Sequence, residues 1–212
     1  MGVRRLERSV MDAIFLSASV PIIGRGHYHE NADPFLIQCA VREFVSTTLG
    51  RRLIVWGGHP AITPMVWAVC EDLGVSYAAS VVLYQSLFFK KHFPDEDKNF
   101  ANVAYVDAID GDREASLNRM REQMLSRTDL TAAVFIGGME GVFDEHKMFA
   151  HYHPTAPVIA VPSAGGAARD LWGQIANHDK ALLNDLDYAS LFHTSLAISS
   201  NEPRAGFNQK PV

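Results

Sequence analysis

Val134-Phe-Ile-Gly-Gly-Met-Glu-Gly-Val-Phe-Asp-Glu-His-Lys-Met-Phe149 carries the pattern from which the fold is read. The apolar run Ala132 to Ile136 has the length and character of a buried strand. It breaks at Gly137-Gly138, and a helix-like pattern resumes with Phe143, Met148 and Phe149 set among acids. Strand, paired glycines, helix is the geometry in which main-chain N–H groups face an anion at the positive end of a helix. Glycine suits such a corner because it tolerates positive φ and admits a ligand close to the backbone. Glu140, Asp144 and Glu145 place carboxylates where a bare phosphate cradle would not want them. Carboxylates there suit a ribose hydroxyl or proton-transfer chemistry better. Taken alone, a Gly-Gly corner serves packing as readily as binding.

The same alternation extends in both directions. A first strand spans Ala13 to Leu16 and ends in Ser17-Ala18-Ser19, small residues that suit ligand contact at a strand's carboxyl end. A polar loop, Pro21 to Asn31, leads to Asp33-Pro34, an N-cap followed by proline at the first helical position. That helix runs through Phe35, Ile37, Val41, Phe44 and Val45 and stops at Gly50. A second strand, Leu53 to Trp56, enters Gly57-Gly58-His59-Pro60-Ala-Ile-Thr63-Pro64, a second Gly-Gly corner with Thr63 as the expected N-cap. Third and fourth strands are expected over Ala78 to Tyr84 and Val103 to Val106. Between them lie a polar-aromatic segment and an exposed charged loop, Pro94 to Asn99. Asp110 or Asp112 caps a long helix through Leu117, Met120, Met124 and Leu125. A sixth strand, Val158 to Val161, leads to Ser163-Ala-Gly165-Gly166 and a helix through Leu171, Trp172 and Ile175. A last helix around Leu186 to Leu196 precedes a polar tail.

Unbroken alternation of strands and helices argues for one α/β domain over residues 1–212: a doubly wound, mostly parallel sheet with helices on both faces. The ends, 1–10 and 199–212, are expected to be flexible. Right-handed crossovers put all the strand carboxyl ends on one edge. Three glycine corners then line one crevice. Its expected ligand contacts are Ser17, Ala18, Ser19, Gly57, Gly58, His59, Thr63, Gly137, Gly138, Glu140, Gly141, Ser163, Gly165 and Gly166. The ligand class this favours is phosphorylated or nucleotide-like. Ser17 and Ser163 lack the Gly-x-Ser-x-Gly elbow of a nucleophile, so hydrogen bonding to ligand is their expected role.

Composition narrows the class further. A chain of 212 residues with 48% hydrophobic content can bury a sizeable core. A net charge of −5, spread along the chain, argues against a nucleic-acid-binding surface. The basic start followed by Ala13-Ile-Phe-Leu-Ser-Ala-Ser resembles a secretory signal only superficially, since Glu7 and Asp12 interrupt it. No apolar run reaches the ~20 residues of a membrane helix, so the expectation is a cytoplasmic protein without membrane contact. Cys39 and Cys70 read as buried free thiols. His27/His29 and His151/His153 have metal-ligand spacing but lie in no convincing strand, and neither a metal nor a cofactor is expected. Phe88, Phe89, Phe149 and Trp172 exceed what the crevice needs, which points to a homodimer.

Ile136-Gly-Gly-Met-Glu-Gly-Val-Phe-Asp-Glu145 resembles the Gly-Gly-x-Gly-Thr-x-x-Glu signature of the lysine-decarboxylase-like, cytokinin-activating phosphoribohydrolases. Their parent group is the Smf/DprA–LOG, or SLOG, superfamily of Rossmann-like domains. Phe15-Leu-Ser-Ala-Ser, Trp56-Gly-Gly-His-Pro-Ala-Ile-Thr-Pro64 and Gly165-Gly-Ala-Ala-Arg-Asp170 also resemble signatures of stand-alone SLOG proteins. In the hydrolase branch, the resemblance makes Glu145 and Arg121 the residues of N-glycosidic cleavage, with Arg121 on phosphate. The departures are Ile136 for the family's Pro, Val142 for Thr, and one extra residue between Gly138 and Gly141. SLOG domains without the hydrolase pattern imply a sensor of nucleotide-derived signals, often in bacterial conflict systems. Sensor and hydrolase need the same pocket; the feature that discriminates them is whether Arg121 and Glu145 converge.

Overall fold

The computed structural model describes residues 12–176 and 179–205. Six strands form one sheet: β1 (Ala13–Ser19), β2 (Leu53–Trp56), β3 (Val81–Ser86), β4 (Asn102–Val106), β5 (Leu130–Gly137) and β6 (Val158–Val161). Their order is β4-β3-β2-β1-β5-β6, and every pairing is parallel. From β1 the chain steps outward to β4, then returns to lay β5 on the other side of β1. That reversal is the switch point of a doubly wound α/β sheet, beside which ligands bind at the strand carboxyl ends. The architecture is the Rossmann-like one expected.

Helices α1 (Pro34–Thr48), α2 (Thr63–Leu73) and α6 (Tyr188–Ser195) cover one face, packing Phe44, Val66 and Phe192 on Ile14, Ile54, Leu83 and Val134. On the other face, α3 (Arg113–Leu125), α4 (Gly141–Tyr152) and α5 (Ala167–Gln174) pack Met124, Phe149 and Leu171 on Phe15, Val55 and Phe135. With both faces covered, β5 reads as a continuous apolar run, because alternate residues enter opposite cores. Cap chemistry starts the helices where expected. Asp33 accepts from the N–H groups of Phe35 and Leu36, and Asp112 from those of Glu114 and Ala115.

Four local expectations are corrected. β1 continues to Ser19 because it pairs with β5 as far as Gly137. β3 begins at Val81, since Val75–Ser80 forms a 3-10 turn in which Ser80 Oγ donates to the Tyr77 carbonyl and accepts from Gly50 N–H. The segment read as an exposed loop folds into a 3-10 turn, Asp95–Asn99, that buries Asp97. Part of the tail is tied down. Arg204 donates to the Leu49 and Ser46 carbonyls, Ala205 N–H donates to the Gly50 carbonyl, and Glu202 pairs with Arg52. Residues 1–11 and 206–212, read as flexible, lie outside the described residues.

Phe149 and Trp172, offered as surplus apolar surface for a dimer, are core residues. Cys70 is fully buried, which pushes its thiol up to about 12, whereas Cys39 is half-buried. Among the described residues no helix is long and apolar enough to cross a membrane.

Candidate functional site

A cavity of about 320 Å³ opens at the carboxyl edge of β1, β2 and β3, under α3 and the start of α4. Each strand contributes its last residues: Ser17 to Ser19 from β1, Gly57 to Pro60 after β2, and Gln85 and Ser86 from β3. Helix α3 supplies Arg113, Leu117, Met120, Arg121 and Met124, positions spaced three or four apart and therefore on one face. From α4 and its approach come Met139, Gly141, Val142 and Glu145.

Arg121 and Glu145 converge. Arg121 Nε donates to Glu145 Oε1 at 3.3 Å, and Ser17 Oγ donates to Glu145 Oε2 at 2.6 Å, so both carboxylate oxygens are held. The Arg121 side chain is 9% exposed and reaches Asp144 Oδ2 at 3.4 Å. Gly141 makes the approach possible: a Cβ there would stand 2.6 Å from Arg121 Nη2. The glycine of the motif admits the protein's own guanidinium beneath the start of α4. Arg121 thus holds Glu145 and at the same time lines the cavity.

Cations gather at the mouth. Arg25, on the loop after β1, pairs with Glu140, and Arg113 lies 5.9 Å from the Phe89 ring centre. His59 accepts the Ala61 N–H on Nδ1 at 3.2 Å, which leaves its proton on Nε2 in the neutral form. Burial, followed by the positive charge of Arg25, lowers its pKa. Glu140 is held below the usual carboxylate range by Arg25 and Arg113, which outweigh the opposing effect of burial.

Beneath the second glycine corner runs a polar brace. Gln85 Nε2 donates to Asp97 Oδ2 at 2.8 Å and to the Gly58 carbonyl at 3.3 Å. Burial raises the Asp97 carboxyl to about 6, against the pull of the Thr63 hydroxyl. Thr63 is thus a buried member of this brace; it is the first residue of α2, preceded by Ile62 at the cap, and does not line the cavity.

Of the expected contacts, Ser17, Ala18, Ser19, Gly57, Gly58, His59, Gly141, Glu145 and Arg121 meet in the cavity. Gly137, Gly138, Glu140, Ser163, Gly165 and Gly166 do not line it. The two outer glycine corners close on each other instead. Ala167 N–H donates to the Gly138 carbonyl, Gly166 N–H donates to Asn31 Oδ1, and a Cβ on Gly166 would stand 2.7 Å from the Gly137 carbonyl carbon. Ser163 bonds the Tyr188 hydroxyl.

Gln85, Ser86, Phe93, Arg113, Met120 and Met124 were not singled out for the site from sequence. Extending β3 to Ser86 would have flagged two of them as carboxyl-end residues. One histidine of each pair has a structural partner: His27 Nε2 lies 3.3 Å from Asp170, and His153 Nε2 lies 2.7 Å from the Leu125 carbonyl. Among the described residues, no group of three or more His, Cys, Asp or Glu is placed to hold a metal.

A comparison with curated proteins returns no match. The model of the SLOG cluster3 family matches residues 27–196, a span from the loop after β1 to the end of α6 that includes most of the cavity-lining residues. The chain belongs to the SLOG cluster3 family.

Proposed function

We propose that the crevice binds a single nucleotide or nucleotide-derived signal, and that the domain is its sensor in a signalling or defence system. One observation carries this reading. A single cavity joins a mouth bearing two guanidinium groups and an imidazole (Arg25, Arg113, His59) to walls of aromatic and methionine side chains, with a fixed carboxylate, Glu145, beside them. Phosphate, base and ribose ask for those three chemistries. The volume lies at the small end of the range for ligand sites, about 300–1,000 Å³, which favours a mononucleotide over a larger conjugate.

The convergence of Arg121, Glu145 and Ser17 favours a second reading, an N-glycosidase acting on nucleoside monophosphates. As the bond from ribose C1′ to the base nitrogen breaks, its electron pair leaves with the base. The Glu145 carboxylate then faces the oxocarbenium-like ribosyl cation that remains, and water adds at C1′. A proton from that water balances the departing base, giving free base and ribose 5-phosphate. Arg121 and Ser17 orient the carboxylate and do not touch substrate.

Calorimetric titration with nucleoside monophosphates, followed by chromatography for free base, tests both. A sensor binds a nucleotide and returns it intact, and Glu145→Gln keeps its affinity within about threefold, since the amide still accepts from Arg121 and donates to Ser17. A hydrolase releases base in the wild type and stops in Glu145→Gln while still binding. Failure of the wild-type protein to bind any nucleotide would overturn both readings.

A further inference from the structure

The cavity has two chemically different ends. At the β1 end lie Ser17 and Arg121, both bonded to Glu145. Two strand spacings of about 4.8 Å separate β1 from β3, so the far end is roughly 10 Å away. There the last residue of β3, Ser86, lines the cavity together with Phe89 and Phe93 from the segment that follows, and Leu117 from α3. Strand alternation puts Ser86 on the face of Val82 and Tyr84, which pack with Met120 and Met124 of α3. Ser86 is 1% exposed, and its hydroxyl has no hydrogen-bond partner among the described residues. Buried hydroxyls are seldom left unpaired, because desolvation without a partner is unfavourable. Each ring has a second contact: Arg113, itself a lining residue, sits over Phe89, and Tyr105 stacks on Phe93 with centroids 6.0 Å apart.

We infer that the β3 end of the cavity is a base-recognition subsite, where a heterocyclic base packs among Phe89, Phe93 and Leu117 and hydrogen-bonds through its edge to the hydroxyl of Ser86. This rests on the nucleotide reading of the crevice and adds an orientation to it. The base lies over β3, the ribose over β2 and β1 near Glu145, and the phosphate at the mouth with Arg25 and His59. A planar base matches a slot with aromatic walls and one polar atom. Arg113 and His92 also line the cavity near these rings, but a buried hydroxyl between two aromatic walls matches a base edge better than a strongly hydrated phosphate.

The experiment titrates adenosine, guanosine, cytidine and uridine monophosphates, and separately ribose 5-phosphate, into wild type, Ser86→Ala and Phe89→Ala. Ribose 5-phosphate keeps the mouth and Glu145 contacts but has no base. Ser86→Ala is expected to weaken the best-bound nucleotide about five- to tenfold, the worth of one buried hydrogen bond. Phe89→Ala is expected to weaken it about tenfold or more through lost ring contact. Neither variant should change ribose 5-phosphate affinity by more than about twofold, and Ser86→Ala should flatten the ranking of the four bases. Equal losses for nucleotide and ribose 5-phosphate would show a merely structural role for Ser86 and sink the subsite, as would a Ser86→Ala variant that binds all nucleotides like the wild type. If the wild type binds neither class of probe, the crevice reading itself fails and the subsite goes with it.

Discussion

The glycine corner after β2 and the corners after β5 and β6 are spelled alike and do different work. Gly57 has ordinary backbone geometry, and a Cβ added to it would meet only the Met120 and Met124 methyls, at 3.4 and 3.8 Å across the cavity. Gly137, Gly138, Gly165 and Gly166 all have positive φ, and three of them back onto the main chain of another segment. At Gly138 the obstacle is Val142 of the next helix, with Cγ2 2.4 Å from the added Cβ. The outer corners therefore use both glycines to bring loops together; in the inner one Gly58, at φ +65° with Gln85 Nε2 2.1 Å from its added Cβ, seats the brace, and Gly57 keeps the floor open. A dipeptide motif marks a strand end where a side chain does not fit; whether backbone or ligand fills the space depends on which elements arrive opposite.

That contrast can be broken most forcefully at Gly165. Gly165→Ala imposes a Cβ at φ +75° and 2.0 Å from the Asn31 carbonyl oxygen. It should destabilise the fold by about 4 kcal/mol, combining backbone strain with overpacking. Urea denaturation reads this directly, and a loss under about 1 kcal/mol would show that the outer corners are not tight junctions.

The brace under the inner corner gives a smaller effect with a distinctive pH signature. Asp97 has a folded-state pKa raised to about 6 from 3.8. The proton is bound more tightly in the folded protein, so this contribution is full below about pH 4 and fades as pH rises through about 6. Between pH 4 and 7 the wild type should lose about 2 kcal/mol relative to Asp97→Asn, whose amide does not titrate. Parallel stability curves for the two proteins would remove Asp97 from the brace.

Smallest in stability is Gly57→Ala, expected to change unfolding free energy by less than about 1 kcal/mol because flexible methionine methyls can yield. Its Cβ enters the cavity floor, so nucleotide affinity should fall while the fold stands. Gly57→Ala and Gly165→Ala thus invert each other's readouts. A Gly57→Ala protein that bound as the wild type does would place the ligand away from β2.

Much of the fold was legible in residue order. β2 and β6 fall where apolar runs end at glycine or proline, and Asp33 and Asp112 cap α1 and α3. The third strand was begun early because Ala78-Ala79-Ser80 runs without a break into Val81, while the Ser80 hydroxyl bonds Tyr77 and Gly50 and holds a turn there. Asp97 was misread for a related reason. A charged run looks solvated until one member finds a buried partner, here Gln85.

By itself the sequence determined the α/β alternation, the helix caps, the common edge of the strand ends and the set of small residues gathered there. Those follow from periodicity, local backbone chemistry and crossover handedness, all of which act over a few residues or apply to every such sheet. Only the tertiary structure decided that two glycine corners close on each other and one stays open. It also decided that Arg121 and Glu145, 24 positions apart, meet over Ser17, and that Ser86 lines the cavity with its hydroxyl unpaired among the described residues. The reason is physical: each depends on how α3 and α4 lie across the strand ends, and that is set by core packing between residues distant in the chain.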